Sequence, residues 1–272
     1  MIKIEHSIFA LPYAWAGAVM AARGMPSAAS LLALTVAMVA VRSFAMAFNR
    51  LADMPYDLKN PRTCGRPLPS GAIGVAQTKT FIAFSALIFI VACAALNVTC
   101  LALAVPALAF AAFYSYLKRF TMLCHFWLGA TLGLAPLAGW LAVSPHNLPL
   151  ASILLFFAVT FWVAAFDIYY SFQDMDFDRE TGLHSVPADL GREAALAIAG
   201  FSHCMTVIFL ALAGMAANFA WPWYALCAGI ALMLGLEHRL MLPRDLRHVN
   251  TAFFTINGIV APLVLIGVIL GI

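Results

Sequence analysis

The chain has 272 residues, 64% of them hydrophobic and only 10% charged, with a formal net charge of +3. A water-soluble domain carries about 25% charged residues, so this composition excludes a soluble globular protein and makes the bilayer the solvent. There is no basic run of the kind that grips nucleic acid, which is not an expected partner.

An apolar stretch over 6–22 opens the chain after Lys3. It mimics a signal peptide. Everything downstream is also apolar, so it reads as a retained first helix that Pro12 kinks. Eight further stretches are long enough to cross the hydrocarbon core, which takes about 20 mostly apolar residues. They run over 27–48, 77–97, 99–117, 122–143, 150–172, 194–216, 221–241 and 250–271. The prediction is an all-α integral membrane protein of nine transmembrane helices, one polytopic domain over 1–272. The breaks are readable at Gly24-Met25-Pro26, Ser144-Pro145-His146-Asn147 and Trp221-Pro222-Trp223. The break over Asn97–Thr99 carries the least polarity. Two connections, 49–76 and 173–193, are long and polar. The six cysteines form no CxxC or Cys/His spacing, so neither zinc nor a disulfide framework is expected.

Nine helices place alternate connections on opposite sides. With the N-terminus inside, Arg23 alone of the Lys and Arg residues lies outside, and all twelve acidic residues fall inside. Basic residues favour the cytoplasmic face by the positive-inside rule. Acidic residues obey no such rule, so their one-sidedness calls for another cause, and function is the natural one.

The acids are also patterned. Arg42, Asn49, Asp53 and Asp57 stand at offsets 0, 7, 11 and 15, and Asp167, Asp174 and Asp178 at 0, 7 and 11. At 100° per residue each set falls on one face of a helix. Asp53 and Asp174 are 121 residues apart, as are Asp57 and Asp178, which hints at a four-helix repeat. An isolated Asp-x3-Asp is common on solvated helix ends. Two of them at matching ends of membrane helices are another matter, because a charge at the bilayer centre costs about 2.5–3.5 kcal/mol. Asp167 and Arg42 lie about two turns inside their motifs; they either line a polar cavity or pair with each other. Oxygen ligands without His or Cys select Mg²⁺, held together with substrate phosphates. Asp53, Asp57, Asp174 and Asp178 balance two such ions. Arg62, Arg66, Lys118 and Arg119 lie on the same side and match the remaining charge of a diphosphate ester. These cations also satisfy simple topology signalling and lipid-headgroup contact.

At these residues the sequence resembles the UbiA superfamily of intramembrane prenyltransferases. The resemblance rests on the Asn49-x3-Asp53-x3-Asp57 stretch, the Arg66-Pro67-Leu68-Pro69-Ser70-Gly71 turn, Tyr114-Ser115-Tyr116-Leu117-Lys118-Arg119, and Asp167-x6-Asp174-x3-Asp178. It covers nearly the whole chain. It implies nine helices around a central cavity with cytoplasmic loop caps, and an active site on the cytoplasmic side of a bacterial inner membrane. It implies that Asn49 joins the four aspartates as a metal ligand. Asn49, Arg42 and Asp167 are then expected in catalysis, Tyr114 beside the four cations at the diphosphate, and Arg42 on the acceptor. Arg50 stands where many members have Asp, so no metal role is implied there.

The Lys3-to-Pro12 run and Gly182-Leu183-His184-Ser185-Val186-Pro187 look like the 4-hydroxybenzoate and dihydroxynaphthoate branches. Asn49-Arg50 and Lys118-Arg119-Phe120-Thr121 look most like the menaquinone enzyme of the futalosine route. The expected reaction joins a polyprenyl diphosphate to an aromatic acid, 1,4-dihydroxy-6-naphthoate, within the membrane lipid; the alternative acceptor is 4-hydroxybenzoate, for ubiquinone. An allylic carbocation would meet the π faces of Phe44, Phe48, Tyr116, Phe166 or Tyr170, although rings at helical spacing more often only pack. An ion-coupled transporter is the rival of another class, but its acids would sit at the midplane. A lipid-binding scaffold would need no paired Asp-x3-Asp motifs.

Overall fold

The computed structural model describes residues 10–242 and 255–272. Among the described residues the chain is all helix and turn. The helices are α1 (Leu11–Ala22), α2 (Ala28–Ala52), α3 (Met54–Asp57), α4 (Val75–Leu96), α5 (Val98–Leu117), α6 (Cys124–Val143), α7 (Leu150–Ser171), α8 (Met175–Thr181), α9 (Val186–Leu190), α10 (Arg192–Ala217), α11 (Trp221–Met241) and α12 (Asn257–Gly271). Seven helices are long and apolar enough to cross a membrane, and α1 and α12 are shorter apolar helices. Each predicted span lands on a long helix or on one of these two. Residues 6–9 and 250–254 of the predicted spans lie outside the described residues, as does the Lys3-to-Phe9 run.

Local chemistry explains the boundaries. The least polar break is set by Asn97, whose backbone is extended and whose side chain accepts from the Cys100 N–H at 2.9 Å, capping α5. Its amide also donates to the Leu141 carbonyl at 2.8 Å, which ties the α4–α5 turn to the end of α6. Pro12 does not kink α1. It stands in the first turn of the described helix, where a missing N–H leaves no bond unmade.

Helix α7 is the axis of the bundle, with α6 and α10 packed against it; α1 lies on α6 and α12, and α2 on α4. Small residues let these backbones meet, as membrane helices without a hydrophobic drive require. A β-carbon at Gly139 would overlap the Ala14 carbonyl oxygen, and one at Gly129 would overlap that of Thr160. On the far side of α7 a buried polar chain fastens α12. Trp162 Nε1 donates to Asn257 Oδ1 at 2.6 Å, and Asn257 Nδ2 donates to Glu237 Oε1 at 2.8 Å.

Neither acidic motif lies on one continuous helix. α2 stops at Ala52, Asp53 becomes its C-cap, and Asp57 belongs to α3. Pro55 is the reason: it has no N–H to give the Leu51 carbonyl and its ring crowds that carbonyl, so α2 cannot run on, while Pro55 fits the first turn of α3. α7 ends at Ser171, a 3-10 turn carries Phe172–Asp174, and Asp178 lies in α8. The polar connections thus hold short helices that fold back over the ends of α2, α5 and α7.

Candidate active site

Those ends enclose a polar cavity of about 210 Å³. It takes Asn49, Asp53 and Asp57 from the first motif and Asp167, Asp174 and Asp178 from the second. Arg62 and Arg66 reach it from the connection after α3, and Tyr114, Lys118 and Arg119 from the end of α5. Every predicted site residue except Arg42 is therefore brought together, from positions as far apart as 49 and 178. Five acidic and five basic side chains line this one cavity.

Three of the five acids are matched to basic side chains of the cavity. Arg66 donates one amino group to both oxygens of Asp57, at 2.8 and 3.0 Å, and Arg50 lies 3.9 Å from the same carboxylate. Arg62 grips Asp174 through Nε at 2.9 Å and through its terminal amino group, and Asn60 adds a bond at 3.0 Å. Lys118 meets Asp178 at 3.0 Å, and that aspartate is almost fully buried. Asp53 accepts from Asn49 at 2.8 Å. Arg119 instead caps α2 by donating to the Ala52 carbonyl at 2.7 Å, with Tyr56 and Tyr116 against its guanidinium. Such charge-assisted bonds keep buried charges tolerable.

Titration follows this pairing. Burial, and after it the neighbouring Asp57, pushes Asp53 up to about 6, against the pull of Lys118, Arg50 and Asn49. Burial alone would depress Lys118, but Asp178 outweighs it and raises it above the ordinary lysine value. Arg62 is held up by Asp174 in the same way, also against its burial.

Asp167 differs from the other acids. Its Oδ2 lies 2.7 Å from Nδ1 of His125, a fully buried residue on α6. The expected alternative, Arg42 bracing Asp167, is not what the structure holds. Arg42 instead lines a second, apolar cavity of about 200 Å³ between α2, α4, α5 and α6, and its Nε is buried without a hydrogen-bond partner among the described residues. The two cavities share Asn49, Arg50 and Tyr114 as their common wall. Four of the five named aromatics pack on other rings. Phe44 stacks on Phe48 at 5.7 Å, Phe48 meets Tyr116 edge-on at 6.1 Å, and Phe166 meets Trp162 at 5.1 Å. Tyr170 lines the polar cavity beneath Arg62.

Sequence reasoning missed Asn60 and His125. Asn60 sits in a polar connection with no helical register to mark it. His125 is a single histidine at the start of an apolar helix, with no partner at a recognisable spacing.

The donors that face the polar cavity are all oxygens, from Asn49, Asp53, Asp57, Asp174 and Asp178, and that chemistry fits Mg²⁺. As the side chains stand, no three His, Cys, Asp or Glu among the described residues converge into a ligand set. Three of the aspartates are turned to cations instead.

Comparison with known proteins is uniform. The model of the UbiA prenyltransferase family matches residues 10–259. A 4-hydroxybenzoate octaprenyltransferase of Sodalis glossinidius is 32% identical over 276 residues, covering 99% of this chain and 93% of that protein. That of Aeromonas salmonicida is 31% identical, covering 92% and 86%. Among solved structures, a UbiA homologue from Aeropyrum pernix in its apo form superposes with a TM-score of 0.89 at 33% identity, over 99% of this chain and 98% of that one. A homologue from Archaeoglobus fulgidus bound to GPP and Mg²⁺ shares the fold at a TM-score of 0.72 and 20% identity, over 97% and 95% of the two chains.

Proposed function

The chain belongs to the UbiA prenyltransferase family, and from that premise we propose that it transfers a polyprenyl group from its diphosphate to an aromatic hydroxy acid at the joined cavities. The observation that carries this reading is the shared wall. A charged chamber adjoins an apolar one across Asn49, Arg50 and Tyr114, as a substrate with a diphosphate head and a hydrocarbon tail requires.

The roles follow from position. Arg62, Arg66, Lys118 and Arg119 offer cations to the diphosphate, and Tyr114 stands at the junction with a hydroxyl. Asn49, Asp53, Asp57, Asp174 and Asp178 would hold two Mg²⁺, which supply charge neutralisation on the departing diphosphate. Two divalent ions and a diphosphate ester of about three negative charges keep a balanced cavity within about one charge of neutral. Arg62, Arg66 and Lys118 would then leave their aspartates for phosphate oxygens. The apolar cavity takes the prenyl chain next to its reacting carbon and excludes water from the allylic cation. Arg42, with an unpartnered donor buried in that cavity, grips the acceptor carboxylate and aims the ring.

The acceptor reading changes with the relatives. Dihydroxynaphthoate is the sequence-based expectation. The named relatives are 4-hydroxybenzoate octaprenyltransferases, which favours 4-hydroxybenzoate as acceptor and ubiquinone over menaquinone as destination. Of the two motifs that pointed to menaquinone, Lys118-Arg119 lines the charged cavity, whereas Asn49-Arg50 lines both that cavity and the apolar one that holds Arg42. Purified protein given a long prenyl diphosphate, Mg²⁺ and each acid in turn should prenylate 4-hydroxybenzoate faster. A preference for dihydroxynaphthoate would reverse the assignment, and no product with either would remove the aromatic acceptor.

We place the charged cavity on the cytoplasmic side of an inner membrane, with α1 and α12 completing nine spans. A periplasmic reporter fused after Gly24 should be active and one fused within 58–64 silent. The opposite pattern would invert the orientation.

A further inference from the structure

We propose that Asp167 and His125 form a proton-accepting pair, in which Asp167 takes the proton from the prenylated ring carbon and His125 is the positioning residue that holds it ready. The inference rests on the prenyl-transfer reading and names the group that completes it.

The reaction needs a base. The ring's π electrons form the new carbon–carbon bond to the allylic cation, while the diphosphate leaves with the pair from its broken C–O bond. The attacked ring carbon then carries both hydrogen and the prenyl group. Aromaticity returns when that hydrogen leaves as a proton and its bonding pair rejoins the ring. Such a carbon acid is strong, so a carboxylate at the right place is base enough.

Asp167 is the carboxylate at that place. It lies on α7, two turns before Asp174, and so about 10 Å deeper at 1.5 Å per residue. It lines the charged cavity together with Tyr114, which lines the apolar one as well. The other acids of the cavity are engaged otherwise. Asp57, Asp174 and Asp178 hold cations and Asp53 holds Asn49. Asp167 is the acid bonded to an imidazole. Among the described residues its Oδ1 has no partner, and its side chain is 18% exposed toward the cavity, which gives the captured proton a route to solvent.

His125 fixes the arrangement. The backbone N–H of Val186 can only donate, and it points at His125 Nε2 at 3.2 Å. Nε2 must therefore be the bare nitrogen, so Nδ1 carries the proton and gives it to Asp167 Oδ2 in a hydrogen bond. One carboxylate oxygen is pinned, and the other, without a hydrogen-bond partner among the described residues, is left as a lone-pair acceptor on a side chain that lines the cavity. Val186 begins α9 in the connection that covers the site, and the neighbouring His184 N–H is bonded to the Lys118 carbonyl at 2.6 Å. The closed connection thus sets the tautomer that prepares the base.

The test uses purified full-length protein, a prenyl diphosphate, Mg²⁺, and 4-hydroxybenzoate carrying hydrogen or deuterium at the attacked carbon. Wild type should show no isotope effect, because proton loss follows the slow step. Asp167→Asn should lose about 100-fold or more in kcat and acquire a primary isotope effect, with donor affinity unchanged. His125→Phe should lose about 10–100-fold and show the same isotope effect, while His125→Asn, whose amide can still donate to Asp167, should recover most of the rate. If Asp167→Asn is not recovered folded, the two His125 variants give the same readout. Wild-type turnover in Asp167→Asn, or slowed turnover in these variants without an isotope effect, would overturn the pair. Absence of ring prenylation by wild type would instead remove the aromatic-transfer reading on which it rests.

Discussion

Two polar clusters interrupt this apolar bundle, and they differ in what surrounds them. One is the charged cavity at the ends of α2, α5 and α7. The other is the knot of Trp162, Asn257 and Glu237, with His203 Nε2 3.7 Å from Glu237 Oε2 and Tyr169 bonded to His238 at 2.6 Å. In the knot, Trp162, Asn257 and Glu237 are fully buried and meet side chain to side chain. Such a cluster fixes where helices sit, because an interhelical hydrogen bond in hydrocarbon has no competing water. The cavity holds its charges around open space, with its cations on short bonds to carboxylates that a phosphate and a metal can replace. Polarity inside a membrane protein thus marks function when the groups line a void, and architecture when they fill one.

The contrast can be broken by removing one group from each cluster. The largest effect is expected in the cavity. Asp53→Ala or Asp174→Ala takes an oxygen from the proposed magnesium site and leaves the charge balance one unit too positive. Turnover should fall by about 1,000-fold, while the protein stays folded and extractable. A loss of less than about tenfold in both would unseat the metal assignment.

Arg42 lies between the two extremes, charged but set in the apolar chamber. Arg42→Lys replaces a planar fork by a point charge. Acceptor KM should rise about tenfold with donor KM unmoved. A fall in kcat or expression at unchanged acceptor KM would make Arg42 structural, and the apolar chamber would lose its place in acceptor binding.

The smallest catalytic effect belongs to the knot. Asn257→Leu removes the bonds to Trp162 and Glu237 and should cost about 1–2 kcal/mol of stability, seen as a lower melting temperature in detergent. The turnover of the folded fraction should stay within about twofold of wild type. A large loss of kcat at unchanged melting temperature would show that the two clusters are coupled.

Much of this was legible in the sequence. Helix positions follow from runs of apolar residues, because the bilayer sets their length. The cavity's aspartates and cations were legible because carboxylates beside hydrocarbon have few innocent explanations. What was hidden depends on tertiary contact. The break at Asp53 hangs on Pro55, and a helical wheel passes over it. Asn60 and His125 acquire roles only when α6, α7 and the covering connections meet. Glu237 was counted with the one-sided acids by its place near a helix end. Its partner Asn257 belongs to a different helix, so its membership of the knot has no trace in spacing. The acceptor was the least legible, because, of the branch motifs, Lys118-Arg119 lines the charged cavity and Asn49-Arg50 is common to both cavities.

The charged cavity is proposed as the place where the prenyl diphosphate is cleaved. Diphosphate release, followed against Mg²⁺ concentration with and without 4-hydroxybenzoate, tests it most directly. For the wild-type protein, release should require both the metal and the acceptor and match the prenylated product one for one, and Asp53→Ala and Asp174→Ala should abolish it at every Mg²⁺ concentration. Release that persists in both variants, or that proceeds in wild type with the metal chelated, would contradict the claim.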